Sequence, residues 1–154
     1  MCQRLYIATR TPLKAVRKTK AAPFLAVQDV GQDAHLPGCF APDHEFLYLA
    51  GAHVECGCGF PAMPADADAP QARVDAADLQ SMQALAEHLR EACRRHSTVE
   101  LYLCWANEET EPPLSRRTVS LPDLREAAFR LRHRELLTVG RAPQSNALQQ
   151  TRHG

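Results

Sequence analysis

Two strongly apolar runs constrain this chain more than any other feature: Phe46-Leu47-Tyr48-Leu49-Ala50 and Val99-Glu100-Leu101-Tyr102-Leu103-Cys104-Trp105. Runs of this length and apolarity suit strands buried on both faces. Between them Leu79, Met82, Ala86, Leu89 and Cys93 recur at alternating steps of three and four, which puts all five on one face of a helix. Asp75 reads as the N-cap, with Asp78 three residues on, and the helix is expected from about Asp75 to Arg95, ending near His96. Glu87, Glu91, Arg94 and Arg95 fall off the apolar face. Strand, helix, strand is the order of a right-handed crossover between parallel strands, provided both strands share one sheet.

The remaining segments extend this unit. Arg4 to Thr9 reads as a first strand, closed by Thr11-Pro12, and Phe24 to Val27 as a second. Ser120-Leu121-Pro122-Asp123 matches a capping pattern and opens a short helix to about Ala127. Phe129 to Arg134 alternates, which predicts a last strand through Val139; one longer helix from Leu121 to Leu137 is the competing reading. Gly31 to Asp43, Pro61 to Pro70 and Asn107 to Arg117 read as loops. The fold class is therefore α/β, a single domain over residues 1–140. Its mixed sheet has about five strands, a β-α-β crossover and one or two helices. Residues 141–154 are polar and aperiodic and read as a disordered C-terminal tail.

Composition narrows the function classes. A chain of 154 residues buries a real core without disulfides. Its charges balance to zero, and the basic segment Lys14 to Lys20 has no interleaved aromatic residues, so there is no strong nucleic-acid signal. No stretch approaches the roughly 20 apolar residues of a membrane span, and the first residues lack a signal-peptide apolar region. A cytosolic, reducing compartment is the expectation, and there six cysteines serve as thiols, ligands or redox groups.

The chemistry concentrates in Gly51-Ala52-His53-Val54-Glu55-Cys56-Gly57-Cys58-Gly59-Phe60. Imidazole and thiolate suit Zn²⁺, and paired thiolates also suit Cu(I). His53, Cys56 and Cys58 are therefore candidate ligands. They follow the C-terminal end of a central strand, the edge at which open α/β sheets collect ligands. A parallel Val99–Trp105 strand brings Cys104 to that edge as the expected fourth group. Cys2 joins them only if the first strand runs antiparallel to the other two. Two further readings stay open: thiol redox or cysteine-nucleophile chemistry on Cys56 and Cys58, and a purely structural Gly/Cys turn. Cys93 reads as inert core, Cys39 as a loop thiol, and His133 as a core or rim histidine. Gly57 and Gly59 lack the spacing of a phosphate loop. Removal of the initiator methionine would expose Cys2 as an N-terminal nucleophile, but Gln3-Arg4 replaces the small turn that such enzymes use. No residue pattern names an enzymatic reaction, a partner or an oligomeric state.

The opening Cys2-Gln3-Arg4-Leu5-Tyr6-Ile7-Ala8, with Thr11-Pro12-Leu13, resembles that of a family of small uncharacterised proteins. They share an LYIA-type N-terminus and a central GxHxxCGCGF run, here Gly51 to Phe60. The resemblance extends to about Val139 and implies that His53, Cys56 and Cys58 belong to one recurring motif. It implies no activity and no cofactor.

Overall fold

The computed structural model describes residues 2–31, 37–64, 73–94 and 97–141. Six strands, β1 (Gln3–Thr9), β2 (Ala26–Asp29), β3 (Phe46–Gly51), β4 (Val99–Trp105), β5 (Ser115–Ser120) and β6 (Glu135–Gly140), form one mixed sheet. Their order is β2-β3-β1-β4-β6-β5. Only β5 and β6 pair in parallel; every other neighbouring pair is antiparallel. One helix, α1 (Ala76–Leu89), and two short 3₁₀ turns, Gly57–Gly59 and Leu121–Arg125, complete the described elements.

β1 holds the centre because it is the most continuously buried of the early segments, from Leu5 to Thr9. Leu5 faces Ala50 of β3 on one side and Leu103 of β4 on the other. β3 and β4 therefore run parallel to each other, joined through α1, but β1 lies between them and opposes both. The crossover pairing is thus present at one strand's remove rather than between neighbours.

Helix α1 starts where its cap chemistry directs. Asp75 and Asp78 form a reciprocal capping box, with the Asp78 carboxylate accepting the Asp75 N–H at 2.9 Å. Met82, Leu85, Ala86 and Leu89 are buried in one core with Leu5, Ile7, Leu101, Leu103, Leu137 and Val139. Full burial of each of the Leu, Ile, Val and Met side chains among them contributes about 1.5–3 kcal/mol. Leu79 is only half-buried, and Ser81 is fully buried among the apolar residues. The helix ends at Leu89, earlier than the periodicity suggests, and turns carry the chain on to Cys93, whose N–H reaches the Leu89 carbonyl at 3.1 Å. The opposite face of the sheet carries a smaller cluster of Tyr6, Tyr102 and Cys104, with Cys39, Phe40 and Leu49 packed on it.

Three expectations change. There are six strands rather than about five, because Ser115–Ser120 lies within a segment expected to be loop and cap. As an edge strand with no buried residue, β5 carries no apolar alternation to betray it. The last strand begins at Glu135 instead of Phe129. Arg134 takes a left-handed φ of 53°, which breaks any extended or helical run through it. The longer helix from Leu121 is excluded as well, since Glu126 is already extended (ψ 133°). The Ser120–Asp123 capping box forms, but it opens only a 3₁₀ turn. The expected tail beyond residue 141, residues 65–70 of the Pro61 loop and the helix end at His96 lie outside the described residues. Among the described residues no helix is long and apolar enough to cross a membrane.

Candidate metal centre

The centre is built by what happens after β3 stops. The chain reverses through Ala52–Cys56, closed by Glu55 N–H to Ala52 O at 2.9 Å and Ala52 N–H to Cys56 O at 3.0 Å. Glu55 takes a φ of 65° to make the turn. The chain then crosses the start of β1, and here glycine is obligatory. A Cβ on Gly57 would sit 2.9 Å from the Gln3 carbonyl oxygen and 3.0 Å from the Leu5 nitrogen. Both are backbone atoms of a central strand and do not yield. Gly59 has a different reason: a Cβ there would come within 2.7 Å of the Ala52 Cβ. Phe60, buried at the end of the turn, ties the crossing to the core.

This crossing carries Cys56 and Cys58 to the residue just before β1. The Sγ atoms of Cys2, Cys56 and Cys58 all lie within 4.8 Å of one another. An ion among them would sit no more than about 2.8 Å from each sulfur, a few tenths of an ångström from the ~2.3 Å of a zinc–thiolate bond. The topology explains the meeting. Because β1 opposes both β3 and β4, its N-terminal end lies at their C-terminal ends. The Cys2 carbonyl is fixed there by the Ala106 N–H at 3.0 Å. The Gln3 N–H donates to Cys58 Sγ at 3.1 Å, a contact that strengthens when the sulfur is a thiolate. Cys2 and Cys58 are exposed, and Cys56 is half-buried. Burial, followed by the hydrogen bond to the Cys58 side chain, pushes the Cys56 thiol up to about 11. In the metal-free protein this sulfur holds its proton at neutral pH.

Of the four expected ligands, Cys56 and Cys58 belong to this group, while His53 and Cys104 do not. His53 faces α1: its N–H donates to Ser81 Oγ at 3.1 Å, its Nδ1 lies 3.1 Å from the same oxygen, and its Nε2 lies 3.4 Å from Asp78 Oδ1. Its carbonyl accepts from Lys18 Nζ. Asp78 therefore caps the helix with one carboxylate oxygen and faces the imidazole with the other. The set His53, Ser81 and Asp78 has the composition of a hydrolytic triad. However, Ser81 is fully buried and its oxygen already accepts the His53 N–H, so no substrate reaches it. These contacts pin the turn to the helix.

Cys104 does arrive at the end of β4, but strand alternation places it opposite Arg4, in the cluster of Tyr6 and Tyr102. Burial, then the charges of Glu109 and Glu108, push its thiol up to about 12. Cys93 is core, as expected, with its thiol pushed up to about 11 by burial. Cys39 is half-buried, its thiol also raised to about 11 by burial. His133 sits beside the Trp105 ring at 5.7 Å, with Nε2 2.9 Å from Glu108.

The residue that periodicity alone did not select is Cys2. Its signal lies in strand direction: a cysteine one residue before an antiparallel central strand shares an edge with whatever follows the flanking strands. An apolar recess of about 660 Å³, lined by Leu13, Phe24, Leu25, Ala84, His88 and Ala92 among others, contains none of the three thiols. No family model matches the chain, and no curated protein or solved structure matches it significantly.

Proposed function

We propose that this protein binds one thiophilic metal ion, Zn²⁺ or Cu(I), through Cys2, Cys56 and Cys58, and that the Gly51–Phe60 run exists to build that site. The observation that carries the reading is the convergence of three sulfurs from two distant parts of the chain. It depends on a glycine that no other residue replaces at Gly57. A purely structural turn needs neither the third sulfur nor exposed thiols. A thiol nucleophile needs a general base or a cation beside the sulfur, and the group formed here holds three thiols with no His, Asp or Glu among the described residues. Three soft donors suit Zn²⁺ and Cu(I) and disfavour Mg²⁺ or Ca²⁺.

The test is elemental analysis of the full chain, purified anaerobically without chelators, alongside uptake of added Zn²⁺ and Cu(I). Close to one equivalent of metal is expected, and it should be lost in Cys2→Ser and in Cys58→Ser. A wild-type chain that carries no metal and takes up neither ion refutes the proposal. Reversible oxidation of two of the three thiols would then put the redox reading first.

A further inference from the structure

We infer that the site is three-coordinate, with no fourth ligand among the described residues, and that it holds Cu(I) and yields it to thiolate acceptors through its exposed side. The inference rests on the metal-binding reading above and deepens it.

The first observation is the donor count. Among the described residues, three sulfurs form the group, and no His, Asp or Glu joins them. The imidazole nearest in sequence is held by Ser81 and Asp78, and the turn that carries it is tied down by Lys18. Bringing His53 round as a ligand would break those contacts. Zn²⁺ in a resident structural site takes four ligands, and three thiolates leave it one short, to be filled by water. Cu(I) is a soft monovalent d¹⁰ ion, and three thiolates complete its shell.

The second observation is exposure. Cys2 and Cys58 are open to solvent, while only Cys56 is half-buried. A resident structural ion is normally closed off; this one would be approachable from one side. The anionic three-thiolate complex is supported by water on that side and by the Gln3 N–H on Cys58.

Release follows from the same geometry. An incoming thiolate forms a Cu–S bond as the bond to Cys58 or Cys2 breaks, and the freed thiolate takes a proton from water. A second and third exchange move the ion across. Copper stays Cu(I) throughout, so no oxidant or reductant is consumed. The acceptor class is a thiol-bearing molecule or peptide.

The experiment loads the full reduced chain anaerobically with one equivalent of Cu(I), and separately with Zn²⁺, and records X-ray absorption at each metal edge. Transfer of Cu(I) to glutathione is followed in parallel. The expected copper spectrum shows three sulfurs and no nitrogen, and the expected zinc spectrum shows three sulfurs and one light atom. Transfer should accelerate with glutathione concentration. His53→Gln, which keeps a hydrogen-bonding side chain, should leave the Cu(I) affinity within about twofold. Cys58→Ser should lower it about 100-fold or more, beyond the range seen for loss of an outer-shell partner. A nitrogen or a fourth sulfur in the copper shell overturns the inference and leaves the metal-binding reading standing. So does a rate of copper loss independent of glutathione. Failure to bind either ion removes both.

Discussion

Cys2, Cys56 and Cys58 meet at one end of the sheet, whereas Cys93, in the turn after α1, and Cys104, in β4, are buried; the two groups share a side chain and differ in everything around it. The sulfurs of the first group face one another and, for Cys2 and Cys58, water. Cys93 lies in the core beneath α1 and donates weakly to the Val139 carbonyl at 3.7 Å, while Cys104 packs with two tyrosines. The thiols of the inner pair are pushed up to about 11 and about 12, chiefly by burial. A lone buried sulfur behaves as a small hydrophobe, and three converging sulfurs behave as a ligand set. Spacing along the chain does not decide between these fates; position relative to the sheet does.

The sharpest way to break this contrast is Gly57→Ala. The new methyl meets the backbone of Gln3 and Leu5 at about 3 Å, so the crossing must lift off β1. Metal affinity should fall about 100-fold or more, with a stability loss of about 1–3 kcal/mol from overpacking. Competitive titration and chemical denaturation read the two effects separately. Wild-type affinity in this variant would mean that the sulfurs meet without the close approach.

Alkylation ranks the thiols themselves. In metal-free native protein at pH 8, Cys2 and Cys58 should label first and Cys56 more slowly, with Cys93 and Cys104 silent until the chain unfolds. Peptide mass spectrometry gives the order; early labelling of Cys104 would contradict its placement.

Removing the inner sulfurs should touch stability alone. Cys104→Ala should cost about 1–2 kcal/mol and Cys93→Ala about 1 kcal/mol, with metal stoichiometry unchanged in both. Denaturant midpoints and elemental analysis check this pair of outcomes.

The smallest effect is a pH dependence. Thiols whose folded pKa is raised from the ordinary 9.0 to about 11 or 12 stay protonated in the native state while the unfolded chain ionises. Their contribution to stability is complete below pH 9 and is lost as pH rises toward 11–12. Urea unfolding of the reduced, metal-free protein between pH 8 and 11 should show that decline, flatter in Cys104→Ala.

Much of this arrangement was legible in the residues. The apolar runs of β1, β3 and β4, the Met82, Ala86 and Leu89 part of the α1 stripe and the Asp75–Asp78 cap follow from local rules that tertiary packing did not override. β5 was hidden because an edge strand buries too little to carry a pattern. The departure at His53 and Cys104 has one cause. Proximity in sequence, or at the end of a strand, fixes where a backbone arrives but not where its side chain turns. Alternation sends Cys104 into the tyrosine cluster, and Ser81 with Asp78 claims His53. Conversely, Cys2 stands far from the motif in sequence and enters the site only because β1 is antiparallel to both neighbours.

The central claim is that Cys2, Cys56 and Cys58 act as one ligand set, and metal-protected alkylation tests it most directly. The full chain is labelled with and without one equivalent of Cu(I) or Zn²⁺, and each cysteine's modification rate is read by peptide mass spectrometry. The account predicts that metal slows Cys2, Cys56 and Cys58 together, while Cys39 is unaffected. Protection of Cys56 and Cys58 with Cys2 labelling at its metal-free rate would contradict it.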